Sequence, residues 1–326
     1  ADLPPVPEDL EQVLALSALA GPPNCLLRAL GRHFPEAATS DLVWWAVEAS
    51  TGMMSLFNSW EATRIIDAYD SPGGFWLKAL TYCAEGHLQA VLDEYMAALV
   101  EWRGFNREAD RDKALRETVQ DLVTVLTMRT SVYNVLAPDQ QAVATESMRG
   151  RFAIRFGKGV SEEQSEQRAD AVSLAFNSPF WPFVLTTTSI GQEGLDFHLY
   201  CHAVSHWNLP SNPVDLEQRE GRVHRYKGHA VRKNVAAVVG PPSGEREPWA
   251  ELFEKADALT ASSRDTQIVP YWVFPPDEYD DPTMARIERH LPITPYSREA
   301  SRFEPLMASL AYYRLAFGQP RQEELV

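Results

Sequence analysis

Apolar residues recur at helical spacing through the first third of the chain. Leu10, Val13, Leu14, Leu16 and Leu19 form one stripe, Gly21-Pro22-Pro23 interrupts it, and Leu26, Leu27 and Leu30 resume it until Gly31 and Pro35. Asp41 to Ala49, with Trp44, Trp45 and Val47, and Ser59 to Tyr69, with Trp60, Ile65 and Ile66, continue the pattern. Residues 1 to about 84 are therefore expected to be helical. From Gly86 to Trp102, Leu88, Val91, Leu92, Tyr95, Met96 and Leu99 mark a further amphipathic helix. Leu122 to Val135 stays open between strand, which Val123, Val125 and Val132 favour, and helix, which Leu122, Leu126 and Met128 allow. Pro138 closes it.

The period then shortens. Arg151 to Phe156 alternates and is bounded by Gly157 and Gly159, which predicts a strand. Ser161-x-x-Gln164 has the form of a capping box and opens a helix that turns apolar at Ala171, Val172, Leu174, Ala175 and Phe176. Asn177-Ser178-Pro179 stops it, and Phe183, Val184 and Leu185 predict a buried strand running into Thr186, Thr187, Thr188 and Ser189. Strand, helix, strand in that order is a βαβ unit. His202 to His206 and Asn234 to Val239 predict two more strands. Trp249 to Ala261 and Arg298 to Phe317 predict helices, separated by a proline-rich loop from Pro270 to Pro295. No internal repeat or low-complexity segment occurs.

The expected class is α/β: a parallel-sheet lobe over 85–240, its start best supported from residue 151, between a helical accessory region at 1–84 and a helical extension at 241–326. Composition fits soluble globular domains, since 45% of the 326 residues are hydrophobic and 23% charged. A net charge of −15 means that nucleic acid must be met by a local patch. Gln218 to Lys233 supplies one, with Arg219, Arg222, Arg225, Lys227, Arg232 and Lys233 against one acid, Glu220. Cys25, Cys83 and Cys201 form no CxxC pair, so a reducing, cytoplasmic setting is expected. No apolar run is read as long enough to span a membrane, and an opening without Met reads as a fragment or processed chain.

In parallel α/β sheets the loops at the strand C-termini hold ligands, which places the loop after Leu185 at a candidate site. Thr187, Thr188 and Ser189 offer hydroxyls and amides to a phosphate backbone. Gly191 and Gly194 permit close approach, and Asp196 can accept from a ribose hydroxyl or orient an arginine. Arg222 and Arg225, three residues apart, share a face if the segment is helical and then suit a polyphosphate. Gln218 would orient the same nucleotide. Blander alternatives stand beside these: an ordinary strand-to-loop transition, a surface helix with solvated arginines, and tryptophans that pack instead of stacking bases. His198, Cys201, His202 and His206 straddle a strand of alternating faces, which argues against a zinc site. No GxSxG elbow is present. His224 and His229 are expected to contact phosphate or cap a helix.

Gly191-Gln-Glu-Gly194-Leu-Asp196-Phe197, then the run from His206 to His229, HWNLPSNPVDLEQREGRVHRYKGH, resembles motifs five and six of superfamily 2 helicases and translocases, in particular the Swi/Snf-like bacterial group. The similarity spans roughly Phe152 to Val239. It implies a second RecA-like lobe in which Thr187 to Ser189, Arg219 and Lys227 meet nucleic acid, DNA in preference to RNA. It also implies that Gly194, Asp196, Gln218 and Gly221 border ATP with Mg²⁺, and that Arg222 and Arg225 act as arginine fingers in ATP hydrolysis. The C-terminal LAYYRLAFGQPRQEEL is similar to the tail of the same group. No GxxxxGK[ST] phosphate loop occurs, and Asp93-Glu94-Tyr95 and Asp277-Glu278-Tyr279-Asp280 do not end apolar strands, so neither serves as a DExx box. No motif four stands out. The expected activity is that of half a motor, inactive alone, whose partners are nucleic acid, a first RecA-like lobe and a protein at the helical N-terminal region. The rival expectation is a noncatalytic interaction module built on a helicase-like lobe.

Overall fold

A computed structural model describes residues 8–128, 131–136, 145–150, 170–180, 182–186, 196–244, 247–261, 268–274, 283–292 and 296–316. The chain forms two compact units, one from Ala1–Leu185 with Pro242–Glu251 and the other from Thr186–Pro241 with Leu252–Val326.

The first unit is a helical bundle of α1 (Leu10–Ala20), α2 (Pro22–His33), α3 (Thr39–Phe57), α4 (Trp60–Ala68), α5 (Phe75–Ala84), α6 (His87–Trp102) and α7 (Arg111–Thr127). Local chemistry sets the boundaries. Gly21 separates α1 from α2, and a Cβ there would lie 2.6 Å from the Ser17 carbonyl oxygen. Pro22 and Pro23 begin α2, where their missing amides cost nothing. Asn24 Nδ2 donates back to the Ser17 and Ala18 carbonyls at 3.0 and 2.9 Å. Ser59 caps α4 and Asp110 caps α7, accepting from the amides of Ala62 and Lys113.

Helix α2 packs on α3 and α6, and α3 on α7. Their shared core holds Leu26, Leu30, Met53, Leu92, Tyr95, Met96, Leu99, Leu115 and Leu122, all fully buried. Burying one such leucine contributes about 1.5–3 kcal/mol, so this core is the main stabilising feature of the unit. Gly52 lets α7 approach α3, since a Cβ there would come within 2.7 Å of Leu126 Cβ. Arg32 pairs with Asp93, binding α2 to α6, and Gln89 donates to the same carboxylate at 2.9 Å.

After α7 comes an antiparallel ladder of β1 (Ser131–Leu136) and β2 (Thr145–Gly150), in register Ser131↔Gly150. The open stretch Leu122 to Val135 thus divides into the end of α7 and a strand. Residues 170–176 form α8, whose Val172, Leu174, Ala175 and Phe176 are buried, and Asn177 and Ser178 end it by bonding back to the Ser173 and Ala175 carbonyls. The expected strand over Arg151 to Phe156, the Ser161 box and Pro138 lie outside the described residues.

Several expectations are overturned. Phe183 to Leu185 is not a strand; residues 182–186 are irregular, with Phe183 68% and Val184 78% exposed. The βαβ unit that needed this strand is absent among the described residues. Asn234 to Val239 is helical, the second half of α10 (His229–Val239). The stretch Leu10–His33 is also apolar and long enough, by length and composition, to cross a membrane. In the fold it is broken at Gly21, and its α2 half is bundle core, with Cys25, Leu26, Ala29 and Leu30 fully buried.

In the second unit β3 (Ala203–Ser205), within the expected strand at 202–206, pairs in parallel with β4 (Glu288–His290), which falls inside the expected proline-rich loop. This is the parallel pairing found among the described residues, a much smaller sheet than the sequence predicts. Around it stand α9 (Pro213–Glu220), α10 and α12 (Glu299–Ala316), with α11 (Pro248–Thr260) crossing the boundary in sequence between the two units. Helices α9 and α12 pack together over Leu209, Leu216, Leu306 and Leu310. Arg314 clasps Glu217 at 2.6 Å.

Candidate functional site

The turn at Asn212-Pro213 has a plain local purpose. Asn212 Oδ1 accepts from the Asp215 amide at 2.9 Å and Pro213 supplies the first helical residue, so the turn launches α9. Leu209 donates its amide to Glu299 at 2.8 Å, and Arg302 donates to the Pro210 carbonyl, which seats the same turn on α12.

Helix α9 stops at Glu220. Gln218 is exposed on it, and Arg219 donates to the Asn208 carbonyl at 2.8 Å. Arg222 and Arg225 are not on a helix, as their spacing had implied; they lie in the turns after Gly221. Gly221 is needed because its backbone hugs α9: its amide reaches the Glu217 carbonyl at 2.8 Å, and a Cβ would stand 2.9 Å from that oxygen.

The turns bring the two arginines to one acid. Arg225 Nη2 lies 3.0 Å and Arg222 Nη1 3.7 Å from the same oxygen, Asp196 Oδ1. Backbone bonds hold this arrangement: Phe197 N donates to the Arg222 carbonyl at 2.8 Å and His229 N to the His198 carbonyl at 2.9 Å. Among the described residues Arg225 Nε is buried without a hydrogen-bond partner. Two guanidiniums around one anionic oxygen form a site matched to an anion with several oxygens.

The rest of the basic stretch is used internally. Arg232 is 3% exposed, donates to the carbonyls of Lys227 and Leu199, and lies over the Tyr200 ring. Lys227 has φ 50° and places its ammonium 4.6 Å from the Phe253 ring centroid, 5.3 Å from Tyr226 and 5.8 Å from Tyr271. Such cation–π contacts stabilise by about 0.5–2 kcal/mol. Within Gln218 to Lys233, Lys233 is exposed. His224 meets the Trp272 carbonyl at 3.2 Å, and His229 opens α10. Thr187, Thr188, Ser189, Gly191 and Gly194 lie outside the described residues, while Thr186 is exposed.

A second acid was missed. Glu220 takes a two-pronged bond from Arg289, at 2.5 and 2.6 Å, and stands 3.0 Å from His206 Nε2. Burial alone would raise its pKa, but the bonds from Arg289 and His206 outweigh that and bring it down to about 2. One signal was present in the sequence. An acid at a helix C-terminus opposes the helix dipole and needs a cation nearby. Its partner, Arg289, sat in what read as a loop.

His198 and His229 are held neutral, their pKa lowered to about 4. For His198 the causes are burial, then Arg232 and Arg225 against an opposing pull from Asp196; for His229 they are burial, then Arg232, His202 and Lys233. Burial raises the Cys201 thiol. Among the described residues no group of three or more His, Cys, Asp or Glu side chains is placed to hold a metal ion.

No curated protein and no solved structure matches the chain. Residues 117–227 match the family described as the helicase conserved C-terminal domain, a span that takes in Asp196, Gln218, Gly221, Arg222 and Arg225. Over that third of its length, from within α7 to the turn that carries the paired arginines, the chain is similar to a helicase C-terminal lobe.

Proposed function

We propose that this chain supplies the second RecA-like lobe of an ATP-dependent helicase or translocase of the Swi/Snf-like bacterial group, acting on nucleic acid and on DNA in preference to RNA. The observation that carries this reading is the convergence of Arg222 and Arg225 on Asp196 Oδ1, inside the span similar to helicase C-terminal domains. The donor set fits a terminal phosphate: two guanidiniums, one with a buried Nε unpartnered among the described residues. Arg222, Arg225 and Gln218 would hold it. ATP with Mg²⁺, when bound, supplies the phosphoryl group whose transfer to water drives the motor.

The chain's own part is electrostatic. Asp196 holds the guanidiniums side by side, so little reorganisation remains when a more highly charged anion competes for them. Gly221 gives the tight exit from α9 that aims them. Arginine fingers contribute roughly 10³–10⁵ in rate. None of the 326 residues forms a GxxxxGK[ST] loop, so the nucleotide's other half-site belongs to a separate lobe.

The test joins the chain to a phosphate-loop lobe and measures nucleic-acid-stimulated ATP hydrolysis. Stimulated turnover that Arg222→Ala lowers by roughly 10³ or more is expected; no turnover, or turnover unchanged by that substitution, sinks the reading. Calorimetry on the chain alone should show negligible ATP binding. One observation favours a second reading, an interaction module: on α3, Val43, Trp44, Val47 and Met54 are exposed, Trp44 by 66%, which leaves an apolar strip open to a partner.

A further inference from the structure

Glu220 occupies a joint. Its backbone carbonyl accepts from the amides of Val223 and His224, at 2.9 and 3.0 Å, so the turn that carries Arg222 hangs from this residue. Its side chain, mostly buried, is gripped by Arg289 and His206. Both grips come from the sheet. Arg289 lies on β4, paired with Val204 of β3, and His206 follows β3 directly, its amide bonded to the His290 carbonyl at 2.8 Å. Arg289 also reaches Met307 Sδ of α12 at 3.4 Å. One carboxylate therefore fixes the end of α9 to the β3–β4 ladder, two residues before the first arginine.

We infer that Glu220 and Arg289 are positioning residues for Arg222: the bidentate pair locks the turn against the sheet and so sets where the guanidinium stands. This rests on the reading of Arg222 as an arginine finger. The geometry favours positioning over bulk stability. A bidentate arginine–carboxylate pair restricts both distance and angle, and His206 takes up a further lone pair of the same carboxylate. A Gln at 220 would keep the volume and some hydrogen bonding but lose the charge that orders both partners. Misplacement of a reacting group by about 1 Å can cost on the order of a hundredfold in rate.

Two measurements test this with Glu220→Gln and Arg289→Met. On the chain alone, amide hydrogen exchange should quicken at Phe197, Val223 and His224 while the amides of α2 and α6 keep their protection. In a motor joined to a phosphate-loop lobe, kcat should fall between about tenfold and a hundredfold with KM for ATP nearly unchanged, and Arg289→Lys should recover part of the loss. Exchange that stays the same at those three amides overturns the inference, as does a loosened turn with unchanged kcat. A joined motor of unsubstituted sequence that shows no nucleic-acid-stimulated turnover overturns the finger reading, and the inference with it. In that case the exchange data still report whether the joint exists.

Discussion

Asp196 Oδ1 stands 3.0 Å from Arg225 Nη2 and 3.7 Å from Arg222 Nη1. Both arginines are partly exposed, so the pairs add little stability, about 0–1 kcal/mol each. Their value lies in orientation. Asp196→Asn should therefore leave the thermal midpoint nearly unchanged while raising the affinity of the chain for inorganic tripolyphosphate several-fold. Titration calorimetry at low salt checks this; an unchanged or weaker affinity would show that the carboxylate is not competing for the arginines.

Arg232 carries a different burden. Its guanidinium is buried and satisfies the carbonyls of Leu199 and Lys227. Arg232→Met should destabilise the second unit by about 1–3 kcal/mol by leaving buried acceptors unpaired, and Arg232→Lys should rescue poorly because a single ammonium cannot span both oxygens. Urea unfolding followed by tryptophan fluorescence is the measurement. A loss below a few tenths of a kcal/mol would contradict the assignment.

Gly221→Ala should act at short range. The added Cβ meets the Glu217 carbonyl oxygen at 2.9 Å, so either the last turn of α9 opens or the Arg222 turn moves. Loss of nucleic-acid-stimulated hydrolysis in a joined motor, without global unfolding by circular dichroism, is expected. Full activity would show that the turn has slack.

Acid should weaken both units well before Glu220 is protonated. His33, His198 and His229 have folded-state values of about 4, against an ordinary 6.5, with burial the leading cause in each. A depressed histidine means that the unfolded chain takes the proton first. Stability from this source is complete above pH 6.5, declines as pH falls toward 4, and levels off below. Glu220, at about 2 against an ordinary 4.5, adds stability that is present above 4.5 and lost as pH falls through 2. Thermal midpoints between pH 7.5 and 4 should therefore drop by several degrees, about 2–4 °C per kcal/mol. A flat profile over that range would place these histidines in water.

Much of this was legible where one element decides its own shape. The stripes of α2 and α6 showed the bundle helices because their period survives into a single core. Asn234 to Val239 failed for the opposite reason. Its valines favour strand, but Gly228 begins a helix, and the buried Asn234 amide is satisfied by Phe274 and Ala285, 40 and 51 residues away. Phe183 to Leu185 failed because an apolar run says nothing of whether a sheet exists to receive it. Strand β4 was hidden in a short charged triplet, Glu288-Arg289-His290, that no alternation rule would select. At the site, the paired arginines and Asp196 could be named from the sequence. Their setting in turns, and the grip of Arg289 on Glu220, depend on contacts between distant segments.

The aromatic box around Lys227 and the buried seat of Arg232 bear on how this region would behave in salt. Six basic residues between Gln218 and Lys233 invite the picture of a polyelectrolyte that sheds one counterion per phosphate contact, with an affinity that collapses as ions are added. Arg232 is buried, Lys227 sits against aromatic rings, Arg219 donates to a backbone carbonyl, and two face Asp196, so this stretch would displace few condensed cations from a nucleic-acid strand. Its contribution to a plot of log affinity against log salt should have a slope nearer roughly −1 than −5.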